Sequence, residues 1–350
     1  MKVGFAHDEF GISWKMTEAY PYTNHRAYFA DTEFLHGTIH YIPKALKCDK
    51  VPFNPIFDYT PYDIFILYLQ GGRCQTDVDY MKIIRKKYPD LCIIQWWGEI
   101  YRFDHDPEWW MREVYSHEAE LFKTIDFLCT PFHAYLSLDK FTNVWNRLGV
   151  KVRLLCEPYD LGDMEKSHYK LERELDNGIM TMVHGRSPDI SRSLAIMTRL
   201  QKKYGIKCFI NPYRRTDVGE QLAKFPSLKF EYTSLHENHG NFLSYLSKFY
   251  FVFDDYPAYC GSNFQLCASG VGVPTISHIW NTSQYLTIPE LSFGVDDLDS
   301  WFKGTESLIL DEDYYRTIME KARVNLRKYY SFKAVAGQVK ELYEEWMKRK

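Results

Sequence analysis

A chain of 350 residues, 45% apolar and 25% charged, exceeds one ordinary domain and suits two of about 150–180 residues each. A net charge of −3 disfavours a duplex binder driven by bulk electrostatics. No apolar run approaches the ~18 residues of a membrane span, and the opening MKVGFAHDEFG lacks the long apolar stretch of a signal peptide, so a cytoplasmic protein is expected.

The first half alternates short apolar runs with helical patterns. Strands are expected at Lys2–His7, Thr38–Ile42, Asp63–Leu69, Leu91–Trp96, Phe127–Thr130 and Lys151–Leu155. Helices are expected at Asp77–Tyr88, where Met81, Ile84 and Tyr88 recur at helical spacing, at Pro107–Thr124 and at Tyr135–Leu148. The polar stretch Gly162–Gly178 reads as a linker. A second series follows, with strands at Ile179–His184, Lys207–Asn211, Leu228–Tyr232, Tyr250–Asp254 and Val273–Ser277. Its helices are Ser191–Tyr204, Val218–Phe225, Asn241–Lys248 and Ser262–Gly270, and two more close the chain at Asp311–Tyr329 and Phe332–Lys348. Strands separated by helices indicate βαβ units and parallel sheets, hence an α/β fold of two Rossmann-like halves with a helical tail. The eight cysteines (Cys48, Cys74, Cys92, Cys129, Cys156, Cys208, Cys260 and Cys267) include no C-x-x-C pair and read as reduced core thiols.

Ligands of open α/β sheets sit beyond the carboxyl ends of the strands, so the residues just after each strand carry the functional argument. In the second half, Gly185 and Arg186 follow the first strand: the glycine lets backbone approach a diphosphate while the guanidinium neutralises it. Arg192, which begins the next helix, is a candidate helper. Gly261, Ser262 and Asn263 open a helix whose N-terminal amides suit a phosphate, and Ser262 also suits a helix cap. Asp254 and Asp255 are the nearest acids, at a strand end that reads equally well as solvated.

In the first half, His7 and Asp8 follow the first strand and are candidate general bases. Gln70–Arg73 forms another loop after a strand. Trp96 and Trp97, followed by Glu99, Arg102 and Asp104, offer an aromatic platform with polar groups for a sugar or base; a core tryptophan cluster is the plainer reading. Glu157 closes a strand near the same edge. Asp77-Val78-Asp79 matches an Asp-x-Asp metal pattern formally, but it starts a helix, so no metal ligands are assigned.

The segment Phe251–Ile276 resembles the donor-site region of GT-B glycosyltransferases similar to families 1 and 4. Gly185-Arg186 resembles their diphosphate-binding pair, and Tyr330–Trp346 their final helix, which packs back across both domains. The resemblance covers the second half well and the first half by architecture only. It implies two Rossmann-like domains around a cleft, with an acceptor-side domain at 1–160, a donor-binding domain at 161–330 and a C-terminal helix at 331–350 returning to the first. It implies transfer of a sugar from a UDP- or GDP-sugar, a co-substrate rather than a cofactor, without metal. Donor contacts fall to Gly185, Arg186, Arg192, Arg215, Tyr259, Gly261, Ser262, Asn263 and Gln265. Catalytic roles fall to His7, Asp8 and Glu99, and acceptor contacts to Trp96, Trp97, Arg102 and Asp104. The sequence departs from the family at one place: many retaining members carry a pair of glutamates across the donor loop and helix, where this chain has Tyr259 and either Gln265 or Cys267. The acceptor stays open between a glycan or lipid-linked sugar and a 5-hydroxymethyl-pyrimidine in DNA, since phage DNA glycosyltransferases share the architecture. A non-catalytic nucleotide-binding protein is the alternative. A dehydrogenase is disfavoured, because no G-x-G-x-x-G follows any strand.

Overall fold

The computed structural model describes the chain apart from residues 8–36, 70–74, 98–114, 163, 165–168, 171–172, 184–188, 213–217, 234–238 and 256–262. The chain forms two compact units, one of residues 1–159 with 330–350, the other of residues 160–329.

The first unit runs β1 (Val3–His7), α1 (Gly37–Leu46), β2 (Asp49–Lys50), β3 (Ile64–Leu69), α2 (Gln75–Lys87), β4 (Cys92–Trp97), α3 (Tyr115–Phe122), β5 (Phe127–Thr130), α4 (Ala134–Ser137), α5 (Asp139–Leu148) and β6 (Val152–Leu154). All its strand pairings are parallel, in the order β2-β1-β3-β4-β5-β6. β4 and β5 are buried throughout, as expected of parallel strands covered on both faces. The second unit runs β7 (Ile179–Met182), α6 (Ser191–Tyr204), β8 (Cys208–Asn211), α7 (Gly219–Leu222), β9 (Phe230–Tyr232), α8 (His239–Leu246), β10 (Phe251–Asp254), α9 (Asn263–Gly270), β11 (Thr275–His278), α10 (Thr282–Thr287), β12 (Ser292–Phe293), α11 (Leu298–Leu310) and α12 (Glu312–Tyr330). Its sheet is also parallel, in the order β12-β11-β10-β7-β8-β9. Counted within the unit, this is the doubly wound 3-2-1-4-5-6 order read from the other edge, and its topological switch lies between β7 and β10.

The last helix, α13 (Phe332–Met347), belongs to the first unit: Val335, Val339, Leu342 and Trp346 join Val3, Ile64, Ile66 and Ile94 in one buried cluster. Ser331 caps it by accepting from the Ala334 amide.

Four expectations are corrected. Thr38–Ile42 is not a strand but part of α1; the β-branched residues misled, and Tyr41 packs at 5.8 Å between ring centroids on Phe332, a contact only the tail provides. The helix expected at Tyr135–Leu148 breaks at Leu138, whose extended backbone (ψ 131°) separates α4 from α5. Gly162–Gly178 is not a free linker. Met164 is buried, and Arg173 donates to the carbonyls of Gly272 (3.0 Å), Val271 (2.6 Å), Lys170 (3.1 Å) and Ser247. The Gly272 carbonyl lies in the turn before β11, outside any ladder, and takes its donor from this side chain. Gly272 makes that turn with φ +83°, and a Cβ there would sit 2.3 Å from the Lys170 carbonyl oxygen. Asp254 and Asp255 do not end a solvated strand: both are buried.

The six described cysteines, Cys48, Cys92, Cys129, Cys156, Cys208 and Cys267, are free thiols. Asp77 and Asp79 lie in α2, and no group of three His, Cys, Asp or Glu able to hold a metal occurs among the described residues. No helix among them is long and apolar enough to cross a membrane.

Candidate active site

β10 carries Phe251, Val252 and Phe253 into the core and delivers two carboxylates in succession to the carboxyl end of its sheet. Asp254 faces β11: its Oδ2 accepts from Asn281 Nδ2 at 3.0 Å, and its backbone carbonyl accepts from Ser277 Oγ at 2.7 Å. Asn281 also caps α10, its Oδ1 accepting from the Gln284 amide at 3.2 Å and from Ser283 Oγ at 2.8 Å. His278, fully buried at the end of β11, accepts from the Trp280 amide through Nδ1 at 3.2 Å. That assigns the ring proton of neutral His278 to Nε2.

Asp255 spans the other side of the switch, toward the helix that follows β7. Its Oδ1 accepts from Arg192 Nε at 2.6 Å, and its Oδ2 accepts from the Ser193 amide at 3.0 Å and Ser193 Oγ at 3.1 Å. The capping residue of α6, Ile190, offers no side-chain acceptor, so this carboxylate from a distant strand satisfies an amide of the first turn. Burial pushes the Asp255 carboxyl up to about 6, against the opposing pull of Arg192 and Ser193. Arg192 is 17% exposed, and its Nη1 and Nη2 make no hydrogen bond to any described residue.

Arg192 stands at the switch with Asp255, and Asn263 opens α9, half-buried. Gln265 is corrected as a donor contact. It is fully buried, and its Nε2 donates to Ser269 Oγ at 2.8 Å and Thr287 Oγ1 at 2.6 Å, joining α9 to α10. Trp96 and Trp97 are corrected as an acceptor platform, because both are 0% exposed. Trp96 meets Tyr68 edge-on at 5.9 Å, and Trp97 meets Trp145 at 5.1 Å and Tyr135 at 6.3 Å. Consecutive residues of a strand face opposite layers, and here both layers are packed. His7 ends β1. Glu157 accepts from the Tyr68 hydroxyl at 2.8 Å. Asp8, Glu99, Arg102, Asp104, Gly185, Arg186, Arg215, Tyr259, Gly261 and Ser262 lie outside the described residues.

Sequence reasoning missed His278 and Asn281. The available signal was the polar run Asn281 to Gln284 three residues after a strand that ends in His278, with the Asn placed to cap a helix.

No family model matches the sequence, and no curated protein matches it at a significant level. Solved structures do match in fold. An α-glucosyltransferase in complex with UDP-glucose and DNA containing an abasic site superposes with TM-score 0.52 at 12% identity, over 81% of this chain and 80% of that one. The N-terminal domain of a Candida albicans trehalose-6-phosphate phosphatase gives TM-score 0.59 at 10% identity, over 80% and 70%. An S. aureus TarM variant in complex with fondaparinux, alpha-GlcNAc-glycerol and UDP gives TM-score 0.51 at 10% identity, over 80% of this chain and 55% of that one. With two parallel six-stranded sheets, the second doubly wound about a polar switch point, this chain has the GT-B fold.

Proposed function

We propose that the chain is a glycosyltransferase that moves a sugar from a UDP- or GDP-sugar to an acceptor hydroxyl without a metal ion. The observation that carries the reading is Arg192, anchored by its Nε at the switch of the second sheet with both Nη groups free of described partners. A guanidinium so placed suits an anion at the position where doubly wound sheets take nucleotides. In the reaction the bond from the sugar's anomeric carbon to the diphosphate oxygen breaks, and a bond from that carbon to the acceptor oxygen forms. Arg186 and Arg192 would neutralise the departing diphosphate, with the backbone at Gly185, Gly261, Ser262 and Asn263 around it and Arg215 and Tyr259 as further contacts. The acceptor proton would pass to His7 or Asp8, with Glu99 as the third candidate base. With Trp96 and Trp97 in the core, Arg102 and Asp104 are the acceptor contacts left in that loop.

The acceptor is either a glycan or lipid-linked sugar, or a 5-hydroxymethyl-pyrimidine in DNA. The DNA in the complex of the α-glucosyltransferase neighbour supports the second, and the net charge of −3 argues for the first. A non-catalytic nucleotide-binding protein is a second reading. It is favoured by α9, which holds no carboxylate and turns Gln265 inward.

The test has two stages: thermal shift against UDP, GDP and their sugars, then transfer from the stabilising donor to hydroxymethylated DNA and to glycans, with and without EDTA. The proposal expects stabilisation by one donor class and transfer that survives EDTA. Stabilisation without transfer to either acceptor class favours the binding protein. Transfer abolished by EDTA and restored by manganese or magnesium overturns metal independence.

A further inference from the structure

We propose that Asp255 is a positioning residue of the donor site, holding Arg192 by its Nε so that the Nη edge of the guanidinium meets the donor's phosphates. The inference rests on the nucleotide-sugar reading above. Its basis is a division of labour within one ion pair. Asp255 is fully buried and uses both oxygens inside the protein, on Arg192 Nε and on the amide and hydroxyl of Ser193. It therefore has little left for a ligand. Arg192 is only partly buried and gives Asp255 a single N–H, leaving the four N–H groups of Nη1 and Nη2 without a described partner. A guanidinium that served stability alone would be expected to meet a carboxylate in the bidentate fork.

The location supports the same conclusion. Arg192 stands in the first turn of α6, after β7, and Asp255 follows β10, so the pair joins the two strands on either side of the switch. The bond to Ser193 fixes the carboxylate to the backbone of the same helix turn that carries Arg192. Asp255, Ser193 and Arg192 thus form a closed set in which the arginine's base cannot swing without breaking a buried charged contact. An arginine fixed before the ligand arrives loses less side-chain freedom on binding, which raises affinity for the charged part of the ligand alone.

That last point gives the test. UDP and uridine are titrated calorimetrically into the full-length protein, or GDP and guanosine if the guanine nucleotide is the one that stabilises. The variants are Asp255→Asn, Arg192→Gln and the double variant. Asn keeps the size and an acceptor for Ser193 but removes the charge, and the double variant leaves no buried unpaired charge, which guards against a folding failure of either single one. Expected are a loss of UDP affinity of about tenfold in Asp255→Asn, the loss of a charge-assisted contact, with uridine affinity unchanged. The double variant should be no weaker than Arg192→Gln alone. A merely structural role would lower nucleoside and nucleotide affinity together and overturn the proposal. UDP affinity unchanged in Asp255→Asn while Arg192→Gln loses it would also overturn it, showing that Arg192 needs no positioning. Wild-type protein that binds neither nucleoside diphosphate overturns the function reading itself, and this inference with it.

Discussion

Trp97 packs edge-on against Trp145 and beside Tyr135 and Phe122 in the layer of α3, α4 and α5, and is entirely buried. Truncation to alanine opens a cavity in a layer of rings that cannot collapse into it. Trp97→Ala should therefore lose about 3–5 kcal/mol of stability, read from urea unfolding, while its folded fraction binds the donor nucleotide as wild type does. A binding role would instead weaken acceptor use at unchanged stability. Two ionisable residues, Asp255 buried and His133 half-buried, should give opposite pH responses. The Asp255 carboxyl, ordinarily at 3.8, is raised to about 6, so its contribution is full below about 4 and is lost as pH rises through 6. His133 is depressed by burial from 6.5 to about 4, so the folded state favours the neutral ring. Its contribution is full above 6.5 and is lost as pH falls through 4. Denaturant melts at a series of pH values check both signs. The stability of wild type minus that of Asp255→Asn should fall between pH 4 and 6, and wild type minus His133→Gln should fall on acidification below 6.5. A flat difference in either series would show that the residue does not titrate where its burial places it.

Among the elements, the turn from α9 to β11 shows how a segment polar in sequence becomes part of a fold. Arg173 reaches into it and hydrogen-bonds the carbonyls of Val271, Gly272 and Ser247, while Gly272 supplies the positive φ. Arg173→Ala leaves the Gly272 and Ser247 carbonyls without this donor, at about 1–3 kcal/mol for each one left buried and unsatisfied, while the Val271 carbonyl keeps the Lys170 amide. Hydrogen exchange at Val271–Val273 should rise before that of β10, and a uniform rise across the unit would place the effect elsewhere. The strands were legible because parallel strands covered on both faces read as continuous apolar runs, as in Ile64–Leu69 and Phe251–Asp254. α2, α6 and α12 were legible by their helical period. α11 was not foreseen: Gly304 lies inside it and weakens local helix propensity, yet it is there because Phe293 packs where a Cβ would be, 2.2 Å from the ring. α10 was missed because buried Thr282, Ser283, Gln284 and Thr287 stand where an apolar stripe would have marked a helix. The site shows the same limit. Position after a strand pointed to Arg192, but the burial of Asp255 depends on a partner 63 residues away, and no local pattern records that.

At the scale of the whole molecule, the chain leaves the first unit at Tyr159 and re-enters it at Tyr330, where the Tyr159 amide donates to the Tyr330 carbonyl at 2.8 Å. The returning helix α13 is part of the first unit's core rather than an appendage. Val335, Val339, Leu342 and Trp346 are all buried against β1, β3 and β4, and Arg153 pairs with Glu345 at 2.6 Å. Burial of a large apolar side chain is worth about 1.5–3 kcal/mol, so these four together contribute roughly 6–12 kcal/mol. An ordinary domain has only about 5–15 kcal/mol in total. Deleting residues 331–350 should therefore unfold the first unit at room temperature, even though the deletion touches none of its strands. The second unit has a separate core, built from Ile179, Leu194, Met197, Phe251, Ile276 and Trp301, and none of those residues lies in the tail. Limited proteolysis of the shortened chain should yield a resistant fragment near residues 160–329 and rapid loss of everything before it. On the proposed function, calorimetry on the same sample should still detect nucleotide binding, while sugar transfer is abolished. Two cooperative transitions in the full chain should become one. A shortened chain that resists protease over residues 1–159 would mean that the first sheet holds its core without the helix, and that burial in this cluster has been overvalued.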